Sequence, residues 1–182
     1  MTTDAEYQAE ITTYQWNDLR KLWSEIKEKK TSPFWDAGKA LEYLVLRAFE
    51  LDGADIAWPY SVTIQGEIVE QIDGVVYTKS LACLIECKDT TKEVNIGPIA
   101  KLRNQLLRRP ATAIGSVFSR TGFTEPTVTL TGFVAPQTIL LWGGEEIEYS
   151  LKNKRICEFL VKKYRVCVQK CIPNYDVTTE IF

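Results

Sequence analysis

The hydrophobic pattern of this chain changes its period at Ile56, and that change limits the folds the chain can adopt. Before it, residues 11–30 and 36–51 carry apolar side chains at helical spacing. After it, β-branched and aromatic residues dominate three short segments, which predicts strands at 56–64, 67–78 and 81–87. Helices followed by an antiparallel meander are therefore expected.

The second half of the chain alternates between helical and strand patterns. It predicts a helix at 97–108, buried strands at 111–118 and 138–142, and an exposed amphipathic helix within 145–171. The last residues are expected to form a loose tail. Because the 182 residues contain no repeat and no linker, we expect one α/β domain with a central mixed sheet flanked by helices.

The absence of histidine restricts the chemistry that this chain can perform. Without an imidazole base, hydrolase triads built on serine or cysteine are excluded, so catalysis must depend on carboxylates, lysine or a metal ion. The five cysteines form no CxxC pair and are expected to be reduced and mostly buried. Since the net charge is −2, phosphate binding must come from local basic patches.

The chain also lacks the sequence signals of a membrane or exported protein. No apolar run approaches the roughly 18 residues that a membrane-spanning helix needs. The N-terminal sequence MTTDAEYQAEITTY is acidic and polar, unlike a signal peptide. We therefore expect a cytoplasmic protein with no membrane partner.

Two acids lie close together in the predicted hairpin of strands 67–78 and 81–87. Because the turn is centred on Lys79, Asp73 and Glu86 are nearly opposite each other, within one residue of register. Opposed carboxylates repel each other, and a divalent cation would relieve that repulsion. Carboxylate oxygens are ligands that suit Mg²⁺, with Mn²⁺ as a substitute.

Two further groups extend this candidate metal site. Lys88 lies two residues beyond Glu86 and projects from the same face of the strand, where it can orient or help deprotonate a water molecule and stabilise charge on a phosphate. The backbone carbonyl of Cys87 is a candidate ligand, while its thiol is expected to point into the core.

A simpler interpretation of the same residues stays open at this point. Asp73-Gly74 is a common turn dipeptide, and Glu86 with Lys88 could form an ordinary surface ion pair. Against it, residues 81–85 carry no charge, and the acid and the lysine arrive together at a strand end, where sites lie in α/β sheets.

Five segments between residues 38 and 147 occur in a recognisable order: GKALEYLVLRAFEL, EQIDGVV, LIECKD, IGSVFSRTGFTEPTV and ILLWGGEEI. Together they resemble the PD-(D/E)XK nucleases of the restriction-endonuclease-like superfamily, and within it the catalytic domain of Mrr-type restriction endonucleases. The resemblance implies an α-β-β-β-α-β core at 36–147, a helical extension at 1–35 and a C-terminal helix and tail at 148–182, all within one nuclease domain. Ile72 replaces the proline that opens the motif.

The resemblance further implies a Mg²⁺-dependent DNA endonuclease that acts in restriction or DNA processing. Asp73 and Glu86 then correspond to the metal-binding acids, Lys88 to the motif lysine, and Glu42 to the additional acid that some members use. The alternatives are a structure-specific nuclease such as a junction resolvase, and a nucleic-acid-binding module that keeps the fold without catalysis. A single active site cuts one strand, so a homodimer is expected on DNA, with a separate specificity or regulatory protein as a further candidate partner.

Basic and hydroxyl side chains that follow the motif are candidates for contacts with the DNA backbone, which position the duplex without reading its sequence. They are Lys92, Lys101, Arg103, Ser119 and Arg120. Asp89 stands where a basic residue often follows the motif lysine. Gln105 occupies a helix on which related nucleases sometimes place a glutamine near the site, although a solvent-facing position is the favoured interpretation.

Overall fold

The central sheet of this protein has five strands in the order β1-β4-β5-β6-β7. In the computed structural model, which describes residues 2–180, β4 pairs antiparallel with β1 and β5, whereas β5, β6 and β7 are parallel. A separate hairpin consists of β2 and β3. The strands are β1 (Asp55–Ala57), β2 (Tyr60–Ile64), β3 (Glu67–Ile72), β4 (Gly74–Thr78), β5 (Leu81–Lys88), β6 (Ala113–Ser119) and β7 (Ile139–Trp142).

Helices cover both faces of the central sheet. They are α1 (Asp4–Thr12), α2 (Trp16–Glu28), α3 (Lys39–Leu51), α4 (Ile96–Leu106), α5 (Glu125–Thr131), α6 (Gly144–Asn153) and α7 (Ile156–Lys170). Alternate residues of each strand face opposite sides, so the sheet contributes to two cores. On β5, Cys83 and Ile85 pack with α3, while Leu84 packs with α4. The predicted α/β class, with a mixed sheet flanked by helices, is confirmed.

The register of the hairpin β4–β5 agrees with the prediction. Gly74 lies opposite Ile85 and Thr78 opposite Leu81, so continuing the same register places Asp73 opposite Glu86. The turn consists of Lys79 and Ser80, both with positive φ. A tight turn fixes the pairs along both strands, which is why the sequence alone was sufficient here.

Several predicted elements are divided in the structure. The strand expected at 56–64 is interrupted at Trp58-Pro59, so that β1 joins the central sheet and β2 joins the hairpin. The strand expected at 67–78 breaks at Asp73. The helix expected at 11–30 corresponds mainly to α2, since α1 ends at Thr12, and the segment 145–171 contains α6 and α7. Hydrophobic periodicity identifies whether a segment is helical or extended. It does not reveal a break after which a second element of the same type begins in a new direction.

The expectation of a loose C-terminal tail is wrong. Val177 is fully buried, and the carbonyl of Pro173 accepts a hydrogen bond from Leu141 of β7 at 2.9 Å. The α7 helix is also not an ordinary exposed helix, because Lys163 is completely buried and donates to Glu146 and to the carbonyl of Tyr175.

The cysteine prediction is confirmed, since all five thiols are free and three of them, Cys83, Cys87 and Cys157, are buried. Burial raises the pKa of the Cys83 thiol to about 12, as expected for a thiol that acts as a small apolar core group. Within residues 2–180, no helix is long and apolar enough to cross a membrane.

Candidate active site

Asp73 occupies the break between β3 and β4, at the edge of the sheet where β5 ends. Its Oδ2 accepts a hydrogen bond from the backbone N–H of Cys87 at 2.8 Å, which fixes the carboxylate against the end of β5. The next residue, Gly74, permits this arrangement, because a Cβ there would lie 2.5 Å from Leu46 of α3 and 3.1 Å from the carbonyl of Ala57. Asp73-Gly74 is therefore not a turn but the entry into a buried strand.

Glu86 is fully buried on the α4 side of the sheet, between two lysines. Lys88 Nζ lies 2.6 Å from Oε1, and Lys101 Nζ of α4 lies 2.7 Å from Oε2. The contact with Lys101 has hydrogen-bond geometry, whereas Oε1 has a charged neighbour but no hydrogen-bond partner. The simpler interpretation, an ordinary surface ion pair, does not describe a carboxylate that is this deeply buried.

The pKa values of Asp73 and Lys88 show how strongly the charges of this site interact. Burial, together with repulsion from Glu86 and Glu42, raises the pKa of Asp73 to about 6. Burial lowers the pKa of Lys88, but attraction by Glu86 is stronger, so the pKa of Lys88 is raised and the ammonium is kept. Three acids that influence one another, with one of them titrating near neutrality, are typical of a functional site.

Glu42, in the first turn of α3, lies on the other side of Asp73. Its Oε2 accepts a hydrogen bond from Lys39 at 2.8 Å, and Lys39 also lies 3.6 Å from Asp4 of α1. Glu42 and Asp73 both line a cavity of about 400 Å³ between α3 and the β2–β3 hairpin. Sequence reasoning missed Asp4 and Lys39, because no motif includes them and α1 reaches the site only through tertiary packing.

The oxygen donors of the site suit a hard divalent cation, and Glu86 Oε1 is a buried oxygen whose charged neighbour, Lys88 Nζ, lies 2.6 Å away. Among residues 2–180, however, no three acidic or thiol side chains converge as a formed metal cluster. Each acid is instead turned toward a protein donor: Glu86 to Lys88 and Lys101, Glu42 to Lys39, and Asp73 to the Cys87 amide. The donor types therefore fit Mg²⁺, and closer coordination requires that some of these pairs separate.

Most of the predicted DNA contacts are engaged within the protein. Ser119 is buried and donates to the carbonyl of Gly122 at 2.9 Å. Arg120 pairs with Asp89 and also donates to the carbonyl of Thr90. Asp89, the acid that stands where a basic residue often follows the motif lysine, is therefore neutralised by Arg120. Lys101 binds Glu86, as described above.

The two remaining candidates differ in exposure. Lys92 is exposed on the loop between β5 and α4. Arg103 is half-buried on α4, and its Nε has no hydrogen-bond partner within the described chain. Lys92 is therefore open to solvent, whereas the Nε atom of Arg103 is itself buried.

The favoured interpretation of Gln105 as solvent-facing is wrong. Gln105 is only 4% exposed, and its amide donates to the carbonyl of Gln71 on β3 at 3.1 Å. It therefore helps to attach the β2–β3 hairpin to α4.

The expectation that the Cys87 thiol points into the core is confirmed, because this side chain is buried on the α3 side of the sheet, opposite Glu86.

Comparison with known proteins supports the fold through structure alone. No family model and no curated protein matches the sequence. The small subunit of the heterodimeric restriction endonuclease R.BspD6I aligns with a TM-score of 0.55 at 14% identity, over 82% of this chain and 89% of that chain.

Two further structures align less well. AF1548, a protein of unknown function, gives a TM-score of 0.49 at 18% identity, over 72% of this chain and 77% of that one. The DNA modification-dependent restriction endonuclease AspBHI gives 0.45 at 10% identity, over 84% of this chain and 40% of that one.

Proposed function

We propose that this chain, which has a restriction-endonuclease-like fold, is a metal-dependent DNA endonuclease that hydrolyses phosphodiester bonds in restriction or DNA processing. The observation that carries the proposal is the placement of Asp73, Glu86 and Lys88 together at the end of β5, with Glu86 buried. A module without catalysis gains nothing from buried, mutually repelling carboxylates, which reduce stability.

Asp73, Glu86 and the backbone carbonyl of Cys87 would hold Mg²⁺ or Mn²⁺, with Glu42 completing the set. The bound metal supplies an activated water molecule and positive charge near the scissile phosphate. The Cys87 amide keeps Asp73 pointing toward the end of β5, where the substrate phosphate would approach.

Lys88 contributes charge rather than base catalysis in this proposal. Its pKa is raised through Glu86, so it remains an ammonium at neutral pH and cannot remove a proton from water. A fixed ammonium beside the reacting phosphate stabilises the negative charge that develops in the transition state. This favours the electrostatic role over help with deprotonation.

DNA would be positioned by Lys92 and Arg103, which contact its backbone. Because such contacts pair cations with phosphates and release counterions from the DNA, binding of this kind depends strongly on salt. Cleavage of both strands would require two sites, and a homodimer supplies them. A separate protein would supply sequence specificity or regulation, and the cytoplasm is the compartment proposed for all of them.

The proposal is tested with plasmid DNA, linear duplex, a four-way junction and RNA, each incubated with Mg²⁺, Mn²⁺ or EDTA. We expect metal-dependent cutting of DNA that Asp73→Asn and Lys88→Met each reduce by about 100-fold or more. Lys79→Met, in the exposed turn at the opposite end of β5, is the matched control and should cut normally.

Cutting that persists in EDTA, or that survives both site substitutions, would contradict the assignment. Cutting confined to the junction would identify a structure-specific nuclease. Binding of DNA without cutting of any substrate, under either metal, would favour the non-catalytic module.

A further inference from the structure

Helix α4 lies unusually close to the sheet beside the candidate site. A Cβ at Gly115 of β6 would lie 2.7 Å from the Leu102 side chain, so only glycine allows this approach. Lys101, the residue before Leu102, thereby reaches Glu86 from a different element, although the two are 15 residues apart along the chain. The contact is a product of how α4 packs, since the motif itself specifies only Lys88.

The two lysines on Glu86 differ in their freedom to leave it. Lys88 is on the same strand, two residues away, and its side chain is 31% exposed. Lys101 is on the neighbouring helix, and its side chain is 42% exposed. A lysine has a long flexible stem and a strongly hydrated ammonium, so the more exposed of the two regains more hydration on leaving, and a bound metal offsets the cost of uncovering the buried Glu86 charge. Lys101 is therefore the more easily displaced cation.

Lys101 also borders an open groove of about 600 Å³ between α4 and β3. The groove is lined in part by Asn104, Glu70 and Arg108; Arg108 is paired with Glu70, so the Asn104 amide is the donor it offers beside Lys101. A Lys101 side chain that leaves Glu86 can turn toward this groove, where a phosphate next to the scissile one can meet it.

We propose that Lys101 is a removable counter-cation, which neutralises Glu86 in the metal-free protein and exchanges this carboxylate for a DNA phosphate when the metal binds. The inference rests on the proposed role of Glu86 as a metal ligand. Because Lys101 and the metal are both attracted to the Glu86 carboxylate, Lys101 on Oε2 weakens metal binding in the absence of DNA. A phosphate that attracts Lys101 removes this competition, so DNA and metal strengthen each other's binding.

Calorimetric titration of Mg²⁺ and Mn²⁺ into the DNA-free protein tests the competition directly. Lys101→Met keeps much of the apolar stem but removes the charge, and we expect it to bind both metals about tenfold more tightly than the wild type. Lys101→Arg keeps the charge and should bind them as weakly as the wild type. Lys21→Met, on the exposed side of α2, removes the same charge elsewhere and should not change metal affinity.

Thermal unfolding separates this role from a merely structural one. Without metal, Lys101→Met should melt at a lower temperature, because Glu86 has lost a partner, and Mg²⁺ should raise its melting temperature by more than it raises that of the wild type. A structural role alone predicts lower stability with equal or weaker metal binding.

Metal affinity of Lys101→Met that is equal to or weaker than wild type would overturn the inference while leaving the proposed function intact. Failure of both the wild type and Lys101→Met to bind metal would overturn the inference, and it would remove the proposed function as well if metal-dependent cutting of DNA were also absent. Measurable binding by the variant alone would support the inference strongly.

Discussion

At the scale of single residues, Asp73 combines three unfavourable features in one carboxylate. It is largely removed from water, it faces Glu86 across the hairpin, and Glu42 adds repulsion from α3. The Cys87 amide and Lys88 oppose these effects only in part, so the pKa is raised from 3.8 to about 6. An acid of this kind reduces stability when ionised, which is a common cost of keeping reactive groups in place.

Asp73→Asn should therefore stabilise the metal-free protein in a pH-dependent manner. Because the folded-state pKa lies above the unfolded one, the wild type loses stability as the pH rises from about 4 to about 6. The variant cannot ionise and escapes this loss, so its gain should approach about 3 kcal/mol near pH 7 and vanish near pH 3. Urea unfolding in EDTA at several pH values measures the difference.

Asp55→Asn, which changes an exposed acid on β1, is the control and should show little pH-dependent gain. A stability difference for Asp73→Asn that stays the same across the pH range would contradict the electrostatic account of this residue.

At the scale of elements, the site depends on close packing of α3 against the start of β4. Gly74→Ala would force a methyl group against Leu46 and the Ala57 carbonyl, and the latter cannot move without shifting β1. We expect a loss of about 1–3 kcal/mol in stability. Cleavage should fall as well, because Asp73 is the adjacent residue. Gly143→Ala is the control, since the nearest atom to its Cβ is 3.8 Å away.

The β2–β3 hairpin is attached through Glu70 to the turn that follows α4. Its carboxylate is buried between Arg108 and Arg109, with Arg109 Nη2 2.6 Å from Oε2. Burial raises the pKa of Glu70, but hydrogen bonds from both arginines outweigh it, and the pKa is lowered. These arginines therefore bind a hairpin of the protein.

Glu70→Ala should loosen the hairpin selectively. Loss of charge-assisted hydrogen bonds costs about 1–3 kcal/mol, and hydrogen exchange should accelerate across residues 60–72 while the β5 and β6 amides keep their protection. Glu67→Ala removes an exposed acid from the same strand and should leave exchange unchanged. Equal exchange in wild type and Glu70→Ala would show that other contacts hold the hairpin.

At the scale of the whole molecule, the segment 173–180 closes the core on the side of α6 and α7. Lys163, buried beneath it, donates to Glu146 and to Tyr175, and Glu146 in turn accepts a hydrogen bond from Val177 N at 3.2 Å. Burial lowers the pKa of Lys163 despite its partner. Residues 173–180 are thus an integral part of the packing, opposite to the expectation of a loose tail, whose last two residues lie outside the described part of the chain.

Val177→Ala should lower the free energy of unfolding by about 1–2 kcal/mol, because a fully buried side chain loses two methyl groups and leaves a small cavity. The same substitution at Val168, which is 62% exposed, should change it by less than about 0.5 kcal/mol. Chemical denaturation of the two variants provides the comparison, and equal effects would mean that the segment is not packed as described.

The sequence by itself determined the order of the elements and the hairpin that brings Asp73, Glu86 and Lys88 together. A tight turn fixes which residues of two adjacent strands face each other, and a period of two fixes the side on which Lys88 joins Glu86. These are local relations along the chain, so residue order contains them. The restriction-endonuclease-like fold was predicted from five sequence segments whose order along the chain resembles that of the PD-(D/E)XK nucleases.

Only the tertiary structure decided which charges meet. Lys101 reaches Glu86, and Arg120 reaches Asp89, across crossover connections through helices and loops. Lys39 reaches Asp4 because α1 packs against α3. Hydrophobic periodicity shows which face of an element is buried, but it does not show which other element packs on that face. Long charged side chains also reach several ångströms in any direction, so their partners depend on that packing. The sequence therefore predicted the acids and the motif lysine of the candidate site, and folding decided which cations neutralise them.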